Sequence, residues 1–222
     1  MSRSPVIHVV AAALIDATDR VLLAQRPAGK HLAGGWEFPG GKLEPGEDRV
    51  AGLARELHEE LGITLRTPRP LIRVRHAYPS REVLLDVWIV RDFSGTPGGL
   101  DGQPLRWCTR AELATVDLLP ADGPVVRVLW LPERLTQMSS AEYDVVPPRA
   151  AGNPTRLRGV SCRDTAQAAA AAVGGADFVV LREPVADAEL ASLCGAVPLP
   201  VYARGIPLSQ AWVLGASGVN AI

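Results

Sequence analysis

Two apolar stretches open the chain. Residues 6–15 and 20–26 are rich in β-forming side chains, and Asp16-Ala17-Thr18-Asp19 between them is turn chemistry, which predicts an antiparallel pair of strands. From Glu47 to Leu61 the period lengthens. At about 100° per residue Val50, Leu53, Ala54, Leu57 and Leu61 fall on one arc and charged residues fill the rest, a helix that Gly62 ends. Gly34-Gly35, Pro39-Gly40-Gly41 and Pro45-Gly46 break up the stretch between strands and helix, while Trp36 and Phe38 anchor it as an ordered loop.

Strand-like runs follow at 71–76, 83–90 and 105–108, then a helix over 122–131 with Val125, Val126, Leu129 and Trp130 inward. These elements make an α+β domain over residues 1–135. Pro147-Pro148 and Pro154 mark a Pro-rich linker over 136–156. Beyond it the rhythm changes. Apolar runs at 157–161, 178–181, 199–203 and 218–222 alternate with helix-like segments at 164–173, 187–193 and 208–214, the βα repeat of a parallel sheet covered by helices.

Composition narrows the function classes. With 47% hydrophobic residues, 21% charged and a formal net charge of -1, the chain carries no diffuse basic field to hold a nucleic acid polymer or an anionic membrane. Cys108, Cys162 and Cys194 lie far apart with no CxxC, so neither a disulfide framework nor a zinc ribbon is indicated. The apolar run after Arg3 imitates a signal peptide, but His8 interrupts it and Asp16 and Asp19 close it, so it reads as a buried strand. A cytoplasmic protein is expected.

The chemistry concentrates in Gly41-Lys-Leu-Glu-Pro-Gly-Glu47, seven further residues, and Arg55-Glu56-Leu57-His58-Glu59-Glu60-Leu61-Gly62-Ile63. Glu56, Glu59 and Glu60 stand at i, i+3 and i+4, one face of a helix opposite the leucine arc. Crowded carboxylates repel one another unless a cation sits among them, and hard oxygen donors suit Mg2+ or Mn2+. A solvated acidic face has the same spacing; the Gly-rich loop at a fixed distance before it, with backbone groups suited to a metal-bound phosphate, favours a site.

This pattern resembles the Nudix box, G-x5-E-x7-R-E-U-x-E-E-x-G-U with U aliphatic, and every specified position is matched. The resemblance runs from about residue 6 to 132 and looks like the MutT branch, the 8-oxo-dGTP diphosphatases, through Trp36 to Lys42, Asp101-Gly102-Gln103-Pro104 and Pro120-Ala121-Asp122. It implies a Nudix fold, a mixed sheet sandwiched by helices, and a divalent metal that activates water to cleave a nucleoside triphosphate to monophosphate and pyrophosphate. Carried over, the Gly40 carbonyl and Glu60 hold the metal, Glu56 and Glu59 complete the carboxylate cluster, and Arg55 orients the glutamates. Glu56 is the first choice of general base and Asp101, where the family has a longer Glu, the second. Arg26 and Arg81 are expected on phosphate or base, with His31, the backbone of Glu37, Phe38, Pro39 and Gly40, and Tyr78 also on the substrate. Asp122 takes the place of the family's base-reading asparagine.

Residues 157–222 resemble the C-terminal part of thiamine-phosphate synthase-like barrels, through Gly159-Val160-Ser161, Gly175 to Val180, Pro200 to Ala203 and Gly215 to Ile222. Four strand-like runs, with 143–146 as the remnant of another, make an incomplete, partial TIM-barrel-like segment, since a closed barrel needs eight. Its open edges call for packing or pairing, so a monomer or a tail-mediated homodimer is expected. The fusion motivates two rivals to nucleotide-pool sanitation and DNA repair: a Nudix enzyme acting on damaged thiamine diphosphate, and a non-catalytic thiamine-phosphate binding or regulatory protein.

Overall fold

The structure, a computed structural model, describes residues 6–222; Arg3 lies outside the described residues. The chain divides into two units, one of residues up to Arg69 with Val74–Val126, the other of Pro70–Arg73 with Arg127–Ile222.

The first unit carries β1 (Val6–Leu14), β2 (Val21–Gln25), β3 (Trp36–Glu37), β4 (Gly40–Lys42), α1 (Arg49–Leu61), β5 (Thr64–Leu65), β6 (Arg69–Tyr78), β7 (Arg81–Val90), β8 (Phe93–Ser94), β9 (Leu105–Cys108) and α2 (Arg110–Leu113), and α3 (Gly123–Val128) runs past its end. Its main sheet is mixed, in the order β4-β1-β7-β6. β1 runs parallel to β7 from Val6↔Glu82 to Leu14↔Val90 and antiparallel to β4. The expected pair of β1 with β2 does not form. β2 belongs to a second sheet, β3-β2-β9, and only the bridge Ile15↔Val21 links the two strands. The reason lies in burial: every residue from Val10 to Ile15 is buried, so both faces of β1 are covered and a parallel partner suits it. The turn chemistry was read correctly, since Asp16 Oδ1 accepts from the Thr18 and Arg20 amides.

α1 begins at Arg49 rather than Glu47 because Asp48 caps it, its side chain accepting from the Val50 and Ala51 amides. It ends at Gly62, whose φ of 69° is open to glycine at little cost. Leu53, Leu57 and Leu61 are buried with Val10, Ala12, Leu14, Leu22 and Trp88, which fixes the opposite face of the helix outward.

The second unit carries β10 (Arg134–Leu135), β11 (Tyr143–Val146), β12 (Leu157–Cys162), α4 (Thr165–Val173), β13 (Phe178–Leu181), α5 (Asp187–Ala196), β14 (Val201–Arg204), α6 (Leu208–Val213) and β15 (Gly218–Asn220). Its six strands are all parallel, in the order β10-β15-β14-β13-β12-β11. Within the stretch read as a linker, the strand remnant expected at 143–146 is β11, whose Tyr143 and Val145 alternate inward along a strand paired with β12, and β10 pairs with β15. The helix expected over 122–131 is shorter, Gly123–Val128, ahead of Pro132.

Alternation sorts this sheet's residues. Val160, Cys162, Val179, Leu181, Val201, Ala203 and Val219 pack with Ala168, Leu190, Leu193 and Ala211 of the three helices. The opposite face starts with Tyr143, Phe178 and Tyr202, edge to face at 5.8 and 5.6 Å. All three cysteines are free and buried; burial pushes the Cys108 thiol up, and that of Cys162 up to about 11. Among the described residues no helix is long and apolar enough to cross a membrane.

Candidate active site

The leucine arc of α1 turns its acidic face toward β4, and the two meet closely because β4 begins with two glycines. A Cβ at Gly41 would overlap the Glu56 carboxylate, so a side chain there would push that carboxylate out of its place. Glu56 is mostly buried, at 14% exposure, and Arg55 Nη1 holds its Oε1 at 2.9 Å. The same guanidinium grips Glu47 through Nε and Nη2, both at 2.9 Å, reaches Glu59 at 3.2 Å and donates to the Lys42 carbonyl. That fork pulls Glu47 down to about 2 and holds Arg55 itself firmly protonated.

Glu60 is different in kind. It has no cationic partner, and burial pushes its carboxyl up to about 7, reinforced by the charges of Glu56, Glu37 and Asp101 and opposed by the Gly40 amide that donates to it. Four carboxylates thus face one another from α1, β3 and the loop before β9. The three glutamates of the helix do not share one environment: Glu59 is 58% exposed, turned to Arg55 and outside the cavity lining. Among the described residues no three His, Cys, Asp or Glu side chains close into a metal cage, so the cluster is an open one.

A cavity of about 390 Å³ joins this cluster to the substrate residues expected from sequence. Gly40, Glu56, Glu60 and Asp101 line it together with Arg26, His31, Glu37, Phe38, Tyr78, Arg81 and Asp122. Pro39 lines a small cavity beside it. Arg26 is not free for a phosphate: Nη1 binds Glu37 Oε2 at 2.6 Å and Nε donates to the His31 carbonyl at 2.6 Å, so it braces the loop between β2 and β3. Burial nevertheless raises the Glu37 carboxyl. Arg81, by contrast, pairs with no carboxylate among the described residues. Tyr78 stands edge to face with both His31 and His76, at 5.5 and 4.4 Å.

Asp122 is 3% exposed. Burial, then the charge of Glu37, drives its carboxyl well above the ordinary range, against the pull of Arg26 and the amide of Phe38 that donates to it.

Two supporting residues carry no role in the sequence reading. Glu47 is the second jaw on Arg55. Gln103, 8% exposed, accepts from the Asp101 amide and donates to the Glu60 carbonyl at 3.1 Å, tying the Asp101 loop to the end of α1. A glutamine one turn of loop after an acid gives no spacing signal; only its burial identifies it.

The comparisons agree with this geometry. A family model described as NUDIX domain matches residues 10–127. The CTP pyrophosphohydrolase of Escherichia coli is 42% identical over 117 residues, 53% of this chain and 87% of that protein. The 8-oxo-dGTP diphosphatase of Escherichia coli is 32% identical over 123 residues, 55% of this chain and 95% of that protein. Among solved structures, that of the E. coli ORF135 protein is 40% identical with a TM-score of 0.51, covering 57% of this chain and 89% of its own. With the family model spanning the carboxylate cluster, the Gly-rich strand and the cavity between them, the chain belongs to the Nudix family and is a Nudix hydrolase.

Proposed function

We propose that the first unit hydrolyses nucleoside triphosphates to monophosphate and pyrophosphate and selects an oxidised purine such as 8-oxo-dGTP. The observation that carries the choice of base is Asp122, a buried carboxyl in the cavity wall beside the Phe38 backbone, where burial favours the protonated form. A protonated carboxyl donates a hydrogen bond to the O6 of 8-oxoguanine, while its other oxygen faces the N7 hydrogen. Ionised, it would set a buried charge against O6, a mismatch of roughly 1–3 kcal/mol.

The cluster fits a divalent cation. Glu60 is raised by burial first and then by the carboxylates around it, and those neighbours offer the hard oxygens Mg2+ or Mn2+ prefer. Gly40, Glu56, Glu59 and Glu60 would hold the ion, which when bound neutralises phosphate oxygens and acidifies water. The chain's own groups do the rest. Arg55 fixes Glu56 so that its second oxygen, lying against the Gly41 backbone, can take a proton from the attacking water. Asp101, exposed at the cavity mouth, is the alternative acceptor, and Gln103 holds its loop. Arg81 is the guanidinium left to grip phosphate.

A second reading has its own support, the 42% identity to a protein named CTP pyrophosphohydrolase. An ionised Asp122 accepts from an exocyclic amine, as acidic side chains do from cytosine N4. One experiment separates the two: kcat/KM against pH for 8-oxo-dGTP, dGTP, CTP and thiamine diphosphate, in wild type and Asp122→Asn. The purine reading expects 8-oxo-dGTP turnover to fall as pH rises through the Asp122 pKa and Asp122→Asn to flatten that fall. CTP turnover that rises with pH and is lost in Asp122→Asn supports the pyrimidine reading. Unchanged selectivity and pH dependence in the variant removes Asp122 from base recognition, and thiamine diphosphate as best substrate overturns both.

A further inference from the structure

Asp101 reaches the nucleotide cavity from a loop, and a loop places a carboxylate less firmly than a helix does unless something ties it down. Here the last turn of α1 does so. A helix leaves its final carbonyls without partners of its own. The Gly98 amide donates to the Leu61 carbonyl at 3.0 Å and the Leu100 amide to the Glu60 carbonyl at 2.9 Å, so the stretch just before Asp101 caps the helix that carries the glutamates. Beyond Asp101 the chain turns at Gly102, with φ at 75°, and the Pro104 carbonyl accepts from the Gln25 amide of β2.

Gln103 closes this loop from inside. Its side chain is buried and uses both ends of its amide: Oε1 accepts from the Asp101 amide at 2.9 Å, and Nε2 donates to the Glu60 carbonyl at 3.1 Å. A Cβ at Gly99 would overlap the Gln103 carbonyl, so the loop wraps this residue too closely for a side chain there. The tie runs to the main chain of Glu60 and leaves the carboxylate of that residue in the cavity wall. Asp101, Glu60 and Gln103 also meet, with Gly40, around a small cavity of about 30 Å³, room for one ordered water.

We infer that Gln103 is a positioning residue for hydrolysis: its one amide holds the Asp101 carboxylate in register with the Glu60 end of α1, so that the two acids meet a substrate as a fixed pair. This rests on the reading of the acidic cavity as the hydrolytic site. A side chain that could only accept, or only donate, would satisfy one of the two backbone groups and leave the other without its partner. Gln103 does not line the nucleotide cavity itself, so its loss falls on the reaction step and not on substrate binding.

The test is a double-mutant cycle in the full chain, with saturating Mg2+ and the better of 8-oxo-dGTP and CTP as substrate. Gln103→Met has similar bulk and makes neither bond; it should lower kcat by about ten- to a hundredfold and change KM by less than about threefold. In the Asp101→Asn background the same substitution should cost less than about threefold, because residues that act through one another are not additive. A further readout needs neither substrate nor metal: the Asp101 amide hydrogen should exchange about tenfold faster or more in Gln103→Met. Gln103→Asn, one methylene too short to span both groups, carries the same cycle if the methionine variant does not fold, with the same losses in smaller degree. Wild-type kcat in these variants, an unchanged Asp101 amide, a loss that multiplies with that of Asp101→Asn, or an Asp101→Asn enzyme with wild-type kcat overturns the proposal. Glu60→Gln that keeps its turnover would instead overturn the reading of the cavity on which the proposal rests.

Discussion

Each unit holds a cavity, of about 390 and 460 Å³. One is lined by carboxylates brought to it largely by one helix and one Gly-rich strand, with Arg26, Lys30, Lys42 and Arg81 beside them; the other is lined by guanidinium, hydroxyl and amide groups delivered singly by the ends of separate strands. In the first, burial lifts the Glu60 carboxyl to about 7 and the charges of Glu56, Glu37 and Asp101 reinforce it. In the second, Arg204 already meets the Ile222 main-chain oxygen and Asn220 the Leu181 carbonyl.

The contrast breaks most visibly at Glu60. Glu60→Gln keeps the shape and removes a ligand charge, so kcat/KM with saturating divalent metal should fall by roughly two to four orders of magnitude. Near-full turnover in that variant would mean that the acidic cavity is not the reaction site. Arg55→Ala frees the fork on Glu47, Glu56 and Glu59, and a loss of about ten- to a hundredfold in kcat/KM is expected from a misplaced carboxylate. Its melting temperature should also fall at neutral pH. Glu47 is held low by Arg55, so that contribution is present above the ordinary carboxylate range and disappears as pH falls toward about 2; a deficit that persists undiminished in acid would assign it to packing.

A stability measurement sharpens the comparison further. Because the Glu60 carboxyl is raised on folding, the metal-free protein binds an extra proton when native and loses stability as pH rises from the ordinary carboxylate range to about 7. Glu60→Gln should remove that slope and stabilise the metal-free protein near pH 8 by on the order of 1–3 kcal/mol, read by urea denaturation with chelator present. An unstable variant would show that the carboxylate is not strained. The smallest effects concern the helices behind each cavity. α1 has the Asp48 cap, whereas α5 starts at Ala186 with no side-chain cap. Asp48→Ala should cost about 1 kcal/mol, and Ala186→Ser should gain about half of that or less; equal, negligible changes would show that tertiary packing sets both helix starts.

How far each region could be read from the sequence follows from the same difference. Glu56, Glu59, Glu60 and Arg55 lie within six residues on a strongly amphipathic helix, so their common face follows from periodicity, and the Gly-rich loop adds a spacing that periodicity alone lacks. Periodicity does not say how deep each carboxylate sits, and the split between buried Glu60 and exposed Glu59 emerges only from the packing of α1 against β4. Arg26 looked like a phosphate ligand because nothing in sequence shows that Glu37, eleven positions later, crosses β2 to meet it. The strand partners of β1 and the pairing of β10 with β15 are long-range facts of the same kind. In the second unit the repeat was visible, but Ser161, Arg182, Arg204 and Asn220 are about twenty residues apart each time and reach one cavity wall only when the parallel register aligns the strand ends.

The buried thiols set how the chain meets an oxidising environment. Peroxide and disulfide exchange attack the thiolate, and Cys108 and Cys162 are held protonated by the same burial that makes them part of each core. Cys194 packs among Leu190, Leu193 and Val197 under α5. None of the three thiols stands at a surface where a second chain could capture it, and none is half of a bridge that reduction could open. Conditions harsh enough to oxidise a nucleotide base therefore meet the thioether of exposed Met138 before they meet any of these thiols.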